Sequence, residues 1–417
     1  MTDSIIEPIF SLDDIIQINS NRNKQDILKI SSNKDWDKTG IHPFEVNNQQ
    51  HFLLFCDAYL YGEAEIALTG GDDKITLENN WFARCFNQII LNVGGREIEA
   101  IHESVGEAST LANLVMTSNI YKQTYGQLSG WIADCGKGDN DVTGEDMNHG
   151  YYWRMKLYNT KKKFSFAFPL KNLFGFTEYA KVLYLIKIRL ELNLREKSDM
   201  SSDIFYGSTG TSGELKFSKI ELHVPYIEPS LSVEEIVNKR LELNKPIDCL
   251  FLKRSMASQS IPTGSKYSWS LGNYTNSVRF IMIAFKKEAA SFEKNNALFT
   301  HGDVSALRLQ MNNMYYPIDR MQFNFKEFNA AEPYKAYVEA CKTFGVESCI
   351  TLWEYINIYP IFVFDTSSQP DQLRSNGIQI TLHIEKASTS TFTAFALMLE
   401  DALYKIDTGD GKMLRIS

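Results

Sequence analysis

The stretch FAFPLKNLFGF runs from Phe166 to Phe176. It holds four phenylalanines, a proline and a glycine, and its only polar residues are Lys171 and Asn172. A helix does not keep Pro169 in its middle, and a plain strand does not keep both breakers. The stretch therefore reads as an apolar turn with two bends. Pro169 ends one strand at an edge or corner, and Gly175 lets the chain turn tightly before the next strand.

That next strand is the clearest in the chain. In IKIRLELNL, Ile186, Ile188, Leu190, Leu192 and Leu194 share one face, and Lys187, Arg189, Glu191 and Asn193 share the other. Such alternation marks a half-buried strand. WRMKLYN (Trp153 to Asn159) and GIQITLHIE (Gly377 to Glu385) read the same way, as do AEIAL, QIILNV and RFIMIAF, which start at Ala64, Gln88 and Arg279. In ELKFSKIELHV (Glu214 to Val224) the apolar phase slips between Phe217 and Ile220, which predicts a β-bulge. Gly70-Gly71, Gly94-Gly95, Asn376-Gly377 and Asp410-Gly411 supply turns. Helices are few. Ser232 with Glu235 spells a capping box before Val233 to Leu243, and Ala108 to Tyr121 and Tyr334 to Phe344 fit helical connections. KGDNDVTGEDMNH (Lys137 to His149) and SDMSSDIFYGSTGTSG (Ser198 to Gly213) read as long exposed loops.

The fold class is all-β: two jelly-roll sandwiches in tandem with short connecting helices. The expected division is an N-terminal arm at 1–40, a first roll at 41–229, a linker with a short helix at 230–246, and a second roll at 247–417. Prolines 225, 229 and 246 mark the linker, and the halves show no sequence repeat.

Composition excludes several functions. The 417 residues are 44% hydrophobic and 12% aromatic, enough for a sizeable core, and the net charge of −8 argues against non-specific nucleic-acid binding. No basic leader, secretory signal or membrane-length apolar run is visible. Cys56, Cys85, Cys135, Cys249, Cys341 and Cys349 form no C-x-x-C pair and read as reduced thiols of a protein made inside a cell. The sequon at Asn273-Tyr274-Thr275 then has no use.

The search for chemistry returns no catalytic, cofactor-binding or metal-ligating residue. Gly409-Asp410-Gly411-Lys412 lacks the other parts of a phosphate loop, and Gly210-Thr211-Ser212-Gly213 has the wrong spacing for a nucleophile elbow. The seven histidines never pair as a jelly-roll metal site requires, and His223 and His383 fall on polar strand faces. Asp139, Asp141 and Glu145 loosely imitate a calcium loop, but its twelfth position falls on Gly150. Glu63 with Glu65, and Glu97 with Glu99, each share one strand face, whereas a glycosidase needs carboxylates on opposite sides of a bond. Trp131, Tyr151, Tyr152 and Trp153 are candidates for a sugar or peptide groove, with core packing the plainer use.

FPLKNLFGFTEYAKVLYLIKIRLELNLR (Phe168 to Arg195) resembles the double jelly-roll major capsid proteins of tailless icosahedral DNA viruses, nearest the group encoded by Polinton/Maverick elements and adintoviruses. Further matches follow in order: HFLLFCDAYLYGEAEIAL, KFSKIELHVPYIEPS, YSWSLGNYTNSVRFIMIAF, LRLQMNNMYYP, YPIFVFDTSSQ and MLEDALYKIDTGDG, together spanning roughly residues 40 to 417. Lys171-Asn172 and Thr177-Glu178-Tyr179 depart from the pattern. The resemblance implies a structural protein with no cofactor and no enzymatic activity. It implies homotrimers with a pseudo-hexagonal outline, contacts to neighbouring capsomers and to a minor or penton capsid protein, and a place in the virion shell. Direct sequence-specific nucleic-acid binding is not expected. The slightly acidic arm, with its two clusters Ile5-Ile6 with Ile9-Phe10 and Ile15-Ile16 with Ile18, is expected to tie capsomers together rather than bind the genome, the plainer alternative being a disordered tail. Rival readings are a carbohydrate-binding sandwich, a cupin-type enzyme, and a host-domesticated capsid gene.

Overall fold

A computed structural model describes residues 22–47, 51–179, 182–243, 246–274, 277–287, 289–348, 350–368, 377–407 and 412–415. The isoleucine clusters before residue 22, Cys349, Asn376 and the Gly409-Asp410-Gly411 turn lie outside them.

Sixteen of the described strands build two rolls. The first eight are β1 (Arg22–Ser31), β2 (Gly40–Asn47), β3 (Tyr59–Thr69), β4 (Phe86–Val93), β5 (Arg96–Ile101), β6 (Lys163–Pro169), β7 (Lys187–Leu194) and β8 (Ser212–Pro229). They pair antiparallel as β1-β8-β3-β6 and β2-β7-β4-β5. The second eight are β9 (Ile247–Ile261), β10 (Lys266–Tyr274), β11 (Val278–Lys286), β12 (Val304–Met311), β13 (Met314–Gln322), β14 (Phe362–Asp365), β15 (Ile378–Lys386) and β16 (Phe392–Ile406). Their order is β9-β16-β11-β14 and β10-β15-β12-β13, the first roll's order shifted by eight. Each roll is thus a two-sheet jelly roll. Most buried apolar side chains of both rolls form one continuous cluster, and a small second one joins Phe52, Leu54, Val182 and Ile227 to Val233 and Val237 of the linker helix.

Local chemistry sets these elements. In β7 the Ile188, Leu190, Leu192, Leu194 face is buried and the Lys187, Arg189 face is exposed, as alternation requires. The β4–β5 hairpin turns on Gly94 and Gly95 with φ of 58° and 76°, the left-handed pair that a tight right-twisted hairpin needs. The corresponding turn between β12 and β13 uses Asn312, at φ 51°. The phase slip in β8 is a bulge: the ladder to β3 shifts between Phe217 and Lys219. The helices Val105–Met116 and Ala331–Thr343 fall in the two connections where helical spacing was read.

Four readings need correction. WRMKLYN is helical, within His149–Arg154 and the wider π-type turn Met155–Asn159. Tyr151, Arg154 and Tyr158 are buried there while Trp153 and Leu157 are exposed, so the true spacing is three to four residues, and a short window disguised it as two. Ser198 to Gly213 is no exposed loop. It contains the helix Lys197–Ile204 and the short strand Phe205–Gly207, which pairs with Ile75–Leu77. Its small polar residues misled because Asp203 is buried by ion pairing rather than solvated. The linker helix runs Leu231–Glu242, and the amides of Val233 and Glu234 donate to the Ser230 carbonyl, so it begins one residue pair before the proposed cap at Ser232. Residues 22–31, read as part of an arm, are the edge strand β1, paired with β8 and packing Leu28 and Ile30 on the core.

Candidate assembly site: the contact between the rolls

The apolar turn that opened the sequence reading lies at the joint between the rolls. All four of its phenylalanines are buried. Gly175 is needed for space and not for a left-handed turn: a Cβ there would sit 2.0 Å from the Leu252 carbonyl oxygen on β9. The Phe176 ring meets Phe251 edge-on at 5.2 Å.

Glu99, on β5, organises this joint. Its Oε1 accepts the backbone N–H of Gly175 and of Arg254, each at 2.9 Å, and its Oε2 accepts that of Phe176 at 2.9 Å. The carboxylate is fully buried, and burial pushes its pKa up against the opposing pull of Arg254 and the three amides. Next along, Glu103 accepts the Ser258 amide at 2.9 Å and the Ser258 hydroxyl at 3.0 Å. Arg254 in turn reaches Glu178 at 3.0 Å. Strand β9 is an edge strand, and carboxylates from the first roll cap its outward N–H groups in place of a neighbouring strand. Glu97 and Glu99 therefore do not act as a pair: Glu97 is exposed and Glu99 is buried, since the ladder shifts between them.

A second polar cluster lies deeper between the rolls. Arg84 Nη1 holds Glu107 at 2.8 Å and Asp203 at 3.4 Å, and Lys286 of β11 reaches Glu107 at 2.5 Å. Glu78 Oε1 accepts the Asn296 amide N–H at 2.7 Å. Two carboxyls are driven apart here. Burial pushes Glu78 up to about 8 with only partial relief from Arg84, whereas Lys286 and Arg84 overcome the burial of Glu107 and hold it well below the usual carboxylate range. The Tyr337 hydroxyl adds a bond to the Leu114 carbonyl at 3.0 Å, helix to helix across the joint. These charges went unread in the sequence. Arg84 sits inside the apolar run from Trp81 to Phe86, and a charge in such a run is the available signal of burial, whereas Glu78 is followed by Asn79 and Asn80 and carries no such signal.

The other sequence candidates are dispersed. Glu63 and Glu65 share an exposed face, and Glu65 pairs with Lys163 at 3.2 Å. His223 is buried rather than wet, stacked by Tyr61 and held 3.1 Å from Glu221. His383 is half-buried between Ser268 and Gln310, each at 2.8 Å. Asp141 caps its own loop through Thr143. Among the described residues no three His, Cys, Asp or Glu side chains converge as a metal site. Trp131 and Tyr151 are core residues and Trp153 is exposed, so they form no shared platform. No helix among the described residues is long and apolar enough to cross a membrane.

The family model of the double jelly roll-like domain matches residues 75–404. The chain belongs to the double jelly roll-like family. A search of curated protein sequences finds no match. Among solved structures, this double jelly roll is similar to the PBCV-1 virus capsid, at 12% identity and TM-score 0.59 over 95% of this chain and 98% of that one. It is similar to a chain of the Sputnik virophage, at 9% identity and TM-score 0.62 over 95% and 89%. It is also similar to the mavirus major capsid protein, at 11% identity and TM-score 0.53 over 94% and 90%. At such identities the likeness is one of fold.

Proposed function

We propose that this double jelly roll is a major capsid subunit, assembling as a homotrimer with a pseudo-hexagonal outline in an icosahedral viral shell. One observation carries the reading. The described chain is used up in two like rolls locked together by a buried joint, and capsid structures match it nearly end to end, covering 94–95% of this chain. A rigid two-roll block is a building piece. Its work is done at surfaces, and no reaction is required of it.

Large exposed apolar side chains on different faces support self-association. Ile120, Tyr125, Leu128 and Trp153 stand on the first roll's connections, Ile318 on the edge strand β13, and Phe328 and Trp353 on the second roll's connections. A monomer has no use for them, whereas head-to-tail contacts around a three-fold axis would cover unlike patches. Six rolls around one axis cannot fill a five-fold vertex, so such a shell also calls for a separate penton protein.

The purified protein is expected to scatter light as a stable trimer and to show hexagonal outlines in negative stain. A monomer at every concentration would overturn the proposal.

A further inference from the structure

We propose that the cleft between the longest connections of the two rolls binds one neutral sugar ring. The inference goes beyond the capsid role and does not depend on the trimer.

Each roll carries its longest connection between its fifth and sixth strands: residues 102–162 between β5 and β6, and residues 323–361 between β13 and β14. The shared sheet order puts the two in corresponding places, and they meet. The bond from the Tyr337 hydroxyl to the Leu114 carbonyl ties one to the other, so the cleft between them is built before any ligand arrives. Its volume is about 210 Å³. Sites for drug-sized ligands run to roughly 300–1,000 Å³, so this one takes a single ring rather than an extended chain.

One wall is a stripe of carboxamides. Asn119, Gln123 and Gln127 stand four residues apart along the helical segment that starts at Asn119 and passes through the π-type turn Lys122–Gly126. That spacing puts them on one side, and all three line the cleft. π-type turns recur at functional sites. The three side chains are exposed, and none bonds to another described residue. Each carboxamide offers donors and an acceptor, as sugar hydroxyls require. Trp131 extends this wall. Its backbone N–H donates to the Gly126 carbonyl at 2.8 Å, and the buried Lys122 ammonium lies 5.7 Å from its ring centroid. Of the four aromatic residues read as candidates for a sugar groove, only Trp131 lines this cleft. Leu114 and Ile350, both buried, add apolar surface for the C–H face of a ring.

Acceptors complete the lining. Glu354 spends Oε2 on the Thr351 amide and hydroxyl, at 2.8 and 2.9 Å, which leaves Oε1 for a ligand. The Asp134 carboxylate is fully buried. Its Oδ1 accepts from Asn148 and Arg154, each at 2.7 Å, while its Oδ2 has no partner. A buried carboxylate oxygen without a donor is costly, and a hydroxyl supplies one. The charges also select. An anion would meet Glu354 and Asp134, and a cation would meet Lys122, whereas a neutral ring meets neither penalty.

The test is saturation-transfer NMR on the purified full chain, with galactose, mannose and N-acetylglucosamine as probes. At least one is expected to bind with a millimolar Kd. Gln123→Ala combined with Gln127→Ala is expected to weaken it about tenfold, the worth of two neutral hydrogen bonds, without moving the melting temperature. Gln322→Ala, exposed on β13, is expected to leave binding unchanged. No signal from any of the three sugars, or binding that the double variant does not weaken, would overturn the proposal. Tighter binding of N-acetylneuraminic acid would make the cleft an anion site, and equal binding of N-acetylglycine amide would make it a peptide site; either overturns the neutral-sugar assignment. All of these results leave the capsid reading standing, since that reading is tested by oligomeric state alone.

Discussion

Phe174 is a single ring with no exposed surface, packed where the first roll meets the second. Truncating it leaves a void that the joint cannot collapse, so Phe174→Ala is expected to cost about 3–5 kcal/mol, read as a lowered denaturant midpoint. Glu99 is the polar counterpart. Glu99→Gln keeps the shape but turns an N–H donor toward at least one of the amides the carboxylate accepts. The expected loss is about 1–3 kcal/mol in the same measurement, and an unchanged midpoint would mean that the three bonds are not made together. The two residues differ in legibility. Phe174 was readable as buried because its whole neighbourhood is apolar. Glu99 was not, because alternation along β5 places it with Glu97 on a wet face. What buries it is Arg254, 155 residues further along the chain, and no local pattern carries that distance.

Among the elements, strands with clean alternation and a solvated face, such as β7 and β15, were legible because one physical cause, half-burial, sets both pattern and structure. Elements buried on all sides were less so. The helix Lys197–Ile204 uses Asp203 to neutralise Arg84 and Arg195, and a polar stretch with buried ion pairs looks like a loop. The same cluster predicts a pH response. Glu78 is neutral in the folded protein up to about pH 8 but ionises in the unfolded chain near its ordinary value of 4.5. Its contribution to stability is therefore fully present below about pH 4.5 and lost as pH rises through about 8. Around Glu78, Arg84 favours the charged form, and Asp203 and Asp134 oppose it. Glu107 acts with the opposite sign, but only on acidification below the ordinary carboxylate range, so the two windows do not overlap. Chemical-denaturation midpoints of Glu78→Gln are expected to fall less than those of the wild type across the Glu78 window. Parallel curves would show that Glu78 is already ionised in the folded state.

For the whole molecule, the position of β1 separates two truncations. Removing residues 1–21 takes away no described strand, and the melting temperature is expected to stay unchanged. Removing residues 1–31 strips β1, unpacks Leu28 and Ile30 and bares the edge of β8. It is expected to cost at least about 2 kcal/mol and to promote aggregation, visible as irreversible melting. Equal melting of the two truncated proteins would mean that β1 is not held in solution. The resemblance supplied the roll, and the division into two β-rich halves was legible from the prolines at 225, 229 and 246 and the restart of strand patterns after them. The shared order of the sheets was not, because it is written in backbone pairing, and the two halves spell it with unrelated side chains.

The three amides gathered by Glu99 have one more consequence. Gly175, Phe176 and Arg254 belong to different rolls, yet their N–H groups are shielded from water by the same two oxygen atoms. Their exchange with deuterated solvent should therefore be governed by a single opening event, with matching protection in the wild type and a joint loss of it in Glu99→Gln. Mass spectrometry of peptides covering the two segments would time how often the two halves part while each roll stays folded. It would give the breathing of the block as a rate, measured in a protein whose melting curve records only its collapse.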